Sequence, residues 1–115
     1  MQIEISHPGV PSEEAVEKEL RGQGLYFLKL DVPAVENTAH WHSFSSVFYV
    51  TRGTLHLTDA ATGNSYEAGP GARVSVPEKA LHAERSEAGY SILLGVTRDP
   101  ATFEDPINLP PDELN

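Results

Sequence analysis

The sequence predicts an all-β fold, an antiparallel sandwich curled into a jelly-roll barrel (double-stranded β-helix) with one short helix near the N-terminus. Three observations predict it. About seven or eight short stretches alternate apolar and polar residues with the period of a strand, Gly, Pro and Asn turns separate them, and one segment alone carries helix signals. At 115 residues the chain is expected to form a single domain spanning 1–115. A domain of that size buries only about two thirds of its unfolded surface, so a homodimer is the expected supplement.

A net charge of -9 argues against nucleic acid and anionic membrane as partners, because either would be repelled. The absence of cysteine excludes a disulfide framework, a thiolate nucleophile and any Cys-based metal site. Met1 to Pro8 lacks a basic leader segment, and no apolar run is long enough to span a bilayer. A soluble cytoplasmic protein with a small-molecule ligand or substrate is the expectation.

Ile3 and Ile5 give a short alternation that His7-Pro8-Gly9-Val10-Pro11 interrupts, and His7 reads as a surface residue. Ser12 followed by Glu13 and Glu14 starts a helix, with an oxygen cap and carboxylates at the positive end of the dipole. Val16 and Leu20 are its apolar pair, and Gly22 and Gly24 end it. Leu25 to Val32 reads as a strand with Tyr26, Leu28, Leu30 and Val32 on one face, and Pro33 to Ala39 as a connecting loop.

His40 to Val50, running into Thr51-Arg52-Gly53, reads as one continuous strand rich in aromatic and β-branched residues. Period two then places His40, His42, Phe44, Ser46 and Phe48 on one face, and Trp41, Ser43, Ser45, Val47 and Tyr49 on the other. Two imidazoles on one strand face can meet one metal. Phe44, Ser46 and Phe48 are substrate-pocket candidates on that face, while Trp41 and Tyr49 are candidates for packing against another sheet or a second subunit. Thr54 to Thr58 alternates again, with His56 opposite Leu55 and Leu57 and so pointing outward. Asp59 to Asn64 is a hairpin turn, Ser65 to Ala68 returns, and Gly69-Pro70-Gly71 turns into a short strand carrying Val74 and Val76. After Pro77 a loop leads to His82, and alternation puts His82, Glu84 and Ser86 on one face. Glu84 is either a carboxylate about 7 Å along from His82 on the same side or an exposed residue paired with Arg85 or a neighbouring Lys. Tyr90 to Thr97 is the last strand. The tail, 98–115, holds four prolines and five acidic residues and excludes a regular strand or long helix, although Phe103, Ile107 and Leu109 could pin it to the body or to a partner subunit.

The stretches 40–53 and 71–86 together resemble the paired motifs of the cupin superfamily. His40-x-His42, the four-residue step to Ser46, the six residues before Gly53, the five between Gly71 and Pro77, and His82 all fall where that pattern places its residues. Ser46 stands where the family usually has a glutamate ligand, Ala72 where an Asp usually follows the Gly, Lys79 where a Gly is usual, and Ser86 where an Asn is common. The resemblance implies a cupin barrel and a three-histidine metal site, His40, His42 and His82, lacking the first-motif Glu.

Three neutral imidazoles suit a divalent metal such as Fe, Ni, Zn or Mn and leave a position open for water or substrate. Among cupins the pattern resembles the cysteine dioxygenase and acetylacetone dioxygenase type. The rival enzyme class is Lewis-acid isomerase or lyase chemistry, with Glu84, Tyr26 or Tyr49 as the candidate acid or base. A metal on histidines alone would favour an anionic or chelating substrate, here a small oxygen-rich organic acid or dicarbonyl. The alternative is a non-catalytic cupin module that binds a small ligand or metal.

Overall fold

A computed structural model describes residues 3–103 and 107–113. Two antiparallel sheets form a sandwich. The first has five strands in the order β1 (Glu4–Ser6), β7 (Arg73–Val76), β4 (Ser46–Gly53), β9 (Tyr90–Val96) and β2 (Tyr26–Val32). The second has four, β3 (Val35–His40), β8 (His82–Ser86), β5 (Leu55–Asp59) and β6 (Ser65–Ala68). Between them lies a core of Phe48, Val50, Leu55, Leu57, Val74, Val76 and Ile92, the inward positions of alternating strands. The jelly roll expected from the sequence is the fold observed.

Helix α1 (Glu13–Gly22) begins where Ser12 Oγ accepts the Ala15 amide, and its apolar residues Val16 and Leu20 are buried on the outer face of the five-stranded sheet against Tyr49 and Leu93. Gly95 lies beneath it; a Cβ there would come within 3.1 Å of both Leu20 and Leu25. Tyr49 therefore packs against the helix, and its hydroxyl donates to Glu19 at 2.7 Å.

Two sequence expectations are corrected. The segment expected to be a loop, 33–39, contains most of β3, whose polar Glu36-Asn37-Thr38 conceals it. β3 is an edge strand with β8 as its one ladder partner among the described residues, and an edge tolerates polar side chains. The stretch 40–53 is also two strands. β3 ends at His40 in one sheet and β4 starts at Ser46 in the other, so the intervening residues carry the chain across the sandwich, which no continuous strand could do. The crossing is held by Lys79 N–H donating to His42 O at 3.0 Å and by Thr97 N–H donating to Ser45 O at 3.1 Å.

The motif glycines mark tight backbone. Gly53 has φ +80°, and a Cβ there would run into the Gly89–Tyr90 backbone. Lys79, standing where a Gly is usual, has φ +68°, the one positive φ among described non-glycine residues.

Candidate metal centre

His40 and His82 are directly opposed partners on β3 and β8. Asn37 opposes Glu84, so β3 takes three steps where β8 takes two. That bulge turns His40 to the same face as Asn37 in spite of their odd separation, and so into the sandwich beside His82 and Glu84. His42 arrives by another route, from the crossing between β3 and β4, and its ring centroid lies 5.1 Å from those of both other histidines. The His40 and His82 rings are 4.5 Å apart. One ligand atom from each of His40, His42, His82 and Glu84 lies within 4.8 Å of all the others.

Backbone carbonyls fix the tautomers. Nδ1–H of His40 donates to Thr38 O at 2.8 Å, that of His82 to Ala80 O at 2.8 Å, and that of His42 to Ile107 O at 3.1 Å. A carbonyl can only accept, so each Nδ1 carries the proton and each neutral ring keeps its lone pair on Nε2. Glu84 Oε1 lies 3.5 Å from His82 Nε2 and 3.8 Å from His40 Nε2, while Oε2 accepts the Tyr90 hydroxyl at 3.1 Å. His40 Nε2 is buried and has no hydrogen-bond partner among the described residues.

Four acceptor atoms thus face one another with no donor among them unless a ring takes a second proton. A buried polar atom left in this way is costly, and a cation resolves the conflict. Ligands around a metal at about 2.1 Å sit roughly 3 to 4 Å apart, a range that contains both Glu84–His distances. The donor set and the orphaned nitrogen fit a divalent metal. The ordering of the ligands by carbonyls through the far ring nitrogen is the arrangement metal-binding histidines adopt.

The titration behaviour has the same origin. Burial pushes the Glu84 carboxyl up, but the close approach of the His40 and His82 rings, which carry positive charge when protonated, outweighs it and holds Glu84 well below the usual carboxylate range. Burial pushes His40 down, and the Glu84 and Thr38 contacts reverse this to a net rise. His42, whose burial is the dominant cause and whose neighbours His82 and His40 oppose a further positive charge, is lowered to about 4 despite the Ile107 bond. Burial, followed by the Glu84 charge, raises Tyr90.

The structure brings together His40, His42, His82 and Glu84. It places Ser46, buried on the inner face of β4, in a cross-strand row with Val76, Val96 and Tyr26. Phe48 belongs to the core, and Phe44 lies outside β4 on the crossing, stacked on His42 at 5.0 Å. Tyr49 faces away from the cluster, and His56 lies on the outer side of β5 next to Glu67. Arg85, the expected partner of an exposed Glu84, pairs with Glu87 instead. Glu84 in the cluster also supplies a carboxylate where Ser46 supplies none, so the candidate ligand set is not histidine alone. Sequence reading missed Tyr90 as the partner of Glu84 and the carbonyls of Thr38, Ala80 and Ile107. Tyr90 stood six residues after Glu84 at the head of the last strand, whereas a carbonyl leaves no mark in a sequence.

A double-sheet barrel with a histidine and carboxylate cluster inside one wall has the architecture of a cupin, and the chain has the cupin fold. No family model matches the chain, and no curated protein sequence matches it. Solved structures do. An RmlC-like cupin from Shewanella frigidimarina is 22% identical, with 69% of this chain and 71% of that one covered and a TM-score of 0.55. A DUF861 family protein from Thermotoga maritima is 16% identical over 81% of this chain and 97% of its own, with a TM-score of 0.58. The TDP-quinovose 3,4-ketoisomerase of Campylobacter jejuni is 14% identical over 78% and 72%, with a TM-score of 0.56.

Proposed function

We propose that the protein binds one divalent metal through Nε2 of His40, His42 and His82 and through Glu84 Oε1, and acts on a small oxygen-rich organic molecule by Lewis-acid isomerase or lyase chemistry. The observation that carries the proposal is the buried, unpartnered His40 Nε2 in a group of acceptor atoms whose Nδ1 protons are already committed to carbonyls. A metal bound there would polarise a carbonyl or hydroxyl oxygen of the substrate. Tyr90 holds Glu84 by Oε2 and leaves Oε1 directed at the histidines. Phe44, on the face of His42, with Phe103 stacked on it at 4.6 Å, supplies an apolar wall beside the ligand set.

Glu84 weighs against the all-histidine dioxygenase reading, which depended on the lost carboxylate. The ketoisomerase among the similar structures is an isomerase on this fold, which supports the isomerase reading. Metal analysis after purification without chelator tests the site; about one equivalent is expected in the parent and none in His82→Ala. Carbonyl isomerisation or elimination without oxygen is the expected activity. Oxygen consumption with diketone substrates would overturn the Lewis-acid assignment, and metal without turnover under either condition would leave a non-catalytic binding module.

A further inference from the structure

His40 and His82 find their Nδ1 acceptors two residues back in their own chain segments, at Thr38 and Ala80. His42 does not. Its own carbonyl accepts from Lys79, and its Nδ1–H reaches a carbonyl 65 residues away, at Ile107. That carbonyl is held in place by the residues around it. Trp41 and Leu109 exchange two backbone hydrogen bonds, at 3.1 and 2.9 Å, and Trp41 Nε1–H donates to Pro110 O at 2.8 Å. A second hold on His42 has the same source. Phe44 stacks on the imidazole with 18° between planes, Phe103 stacks on Phe44 with 11°, and the Arg98 guanidinium lies 5.8 Å from the Phe103 ring while donating to Ser43 Oγ at 2.7 Å.

We infer that the C-terminal segment around Ile107–Pro110 is a positioning part of the metal centre, and that metal binding and docking of this segment form one coupled event. The inference rests on the metal site proposed above. Its physical content is the orientation of one ligand. With Ile107 O in place, His42 is a single tautomer with Nε2 directed at His40, His82 and Glu84. Without it, the neutral ring can move its proton to Nε2 or turn about its side-chain torsions, and either change removes a ligand. Losing such a partner typically lowers metal affinity about 10- to 100-fold. Coupling between two binding events is reciprocal, so the metal must tighten docking of the segment by the same factor.

Cobalt(II) titration, followed through its ligand-field absorption, compares the full chain, a chain stopped before Ile107, and His82→Ala. The full chain is expected to take one equivalent, and the shortened chain to bind about 10- to 100-fold more weakly with a changed spectrum. A tail that merely stabilised the fold would lower stability without altering the spectrum. The second measurement is hydrogen exchange at the Trp41 and Leu109 amides of the full chain with and without cobalt, where slowing by the same factor is expected. Equal affinity and spectrum in the shortened chain, or unchanged exchange, overturns the inference while His82→Ala keeps the metal site itself intact as a reading. No uptake by the full chain, or equal uptake by His82→Ala, overturns the metal site first. If the shortened chain does not fold, exchange in the full chain decides alone.

Discussion

The histidine and carboxylate cluster has two halves built in different ways. His40, His82 and Glu84 stand on adjacent strands, locked by ladder register, a bulge and carbonyls from their own segments. His42 stands on a crossing between sheets and is oriented from a distant part of the chain. Strand pairing fixes side-chain direction at the moment the sheet forms, whereas a residue on a connection needs contacts brought from elsewhere. One half of the site is therefore a property of the sandwich, and the other a property of its assembly with the tail.

The largest effect expected from this comparison is on stability in excess chelator. His82→Ala, which empties a site 2% exposed and strips Glu84 of one partner, should cost about 3 kcal/mol. His42→Ala, on the less buried crossing, should cost about 1 kcal/mol. Urea unfolding of both variants checks it, and equal costs would erase the distinction between the halves.

A smaller contrast lies in pH. The unfolded chain protonates His42 near 6.5 and the folded chain only near 4, so between those values the unfolded state holds more protons and stability falls as pH falls. His40 behaves oppositely. Its folded value is raised, so its contribution is complete below 6.5 and is lost as pH rises through the folded value. Metal-free parent should therefore lose stability on acidification from pH 6.5 toward 4 with a contribution of at most about 1.4 kcal/mol per pH unit from His42. That contribution should vanish from His42→Ala in parallel denaturation series.

The smallest effect is expected at Lys79, whose amide supports the crossing from a left-handed conformation. Lys79→Gly relieves a strain of about 1 to 2 kcal/mol and gives back part of it as chain entropy. A net gain of about 0.5 kcal/mol in unfolding free energy, read as a higher urea midpoint at unchanged slope, is the expected result, and a loss would mean that the lysine side chain contributes a contact of its own.

The resemblance of the stretches holding His40, His42, Gly53, Gly71, Pro77 and His82 to the cupin motifs made the barrel and three members of the cluster legible, and alternation from His82 picked out Glu84. Period two failed between residues 33 and 46. There β3 is polar because it lies at an edge, a bulge resets the face of His40, and the chain changes sheets before Ser46. His40 and His42 do converge, but not as neighbours on one strand face. Phe103, Ile107 and Leu109 were readable as anchors of the tail, and each does contact the crossing. That one of these contacts is made by a carbonyl to a histidine was beyond reach, because every residue has a carbonyl and only the fold selects one.

The chain has a single tryptophan, and it stands at the seam between crossing and tail. An indole that donates to Pro110 O when the seam is closed meets water when it opens, and its emission shifts to the red. Excited beyond the tyrosine absorption edge, the protein carries a built-in, label-free optical reporter at the one junction where its two kinds of construction meet.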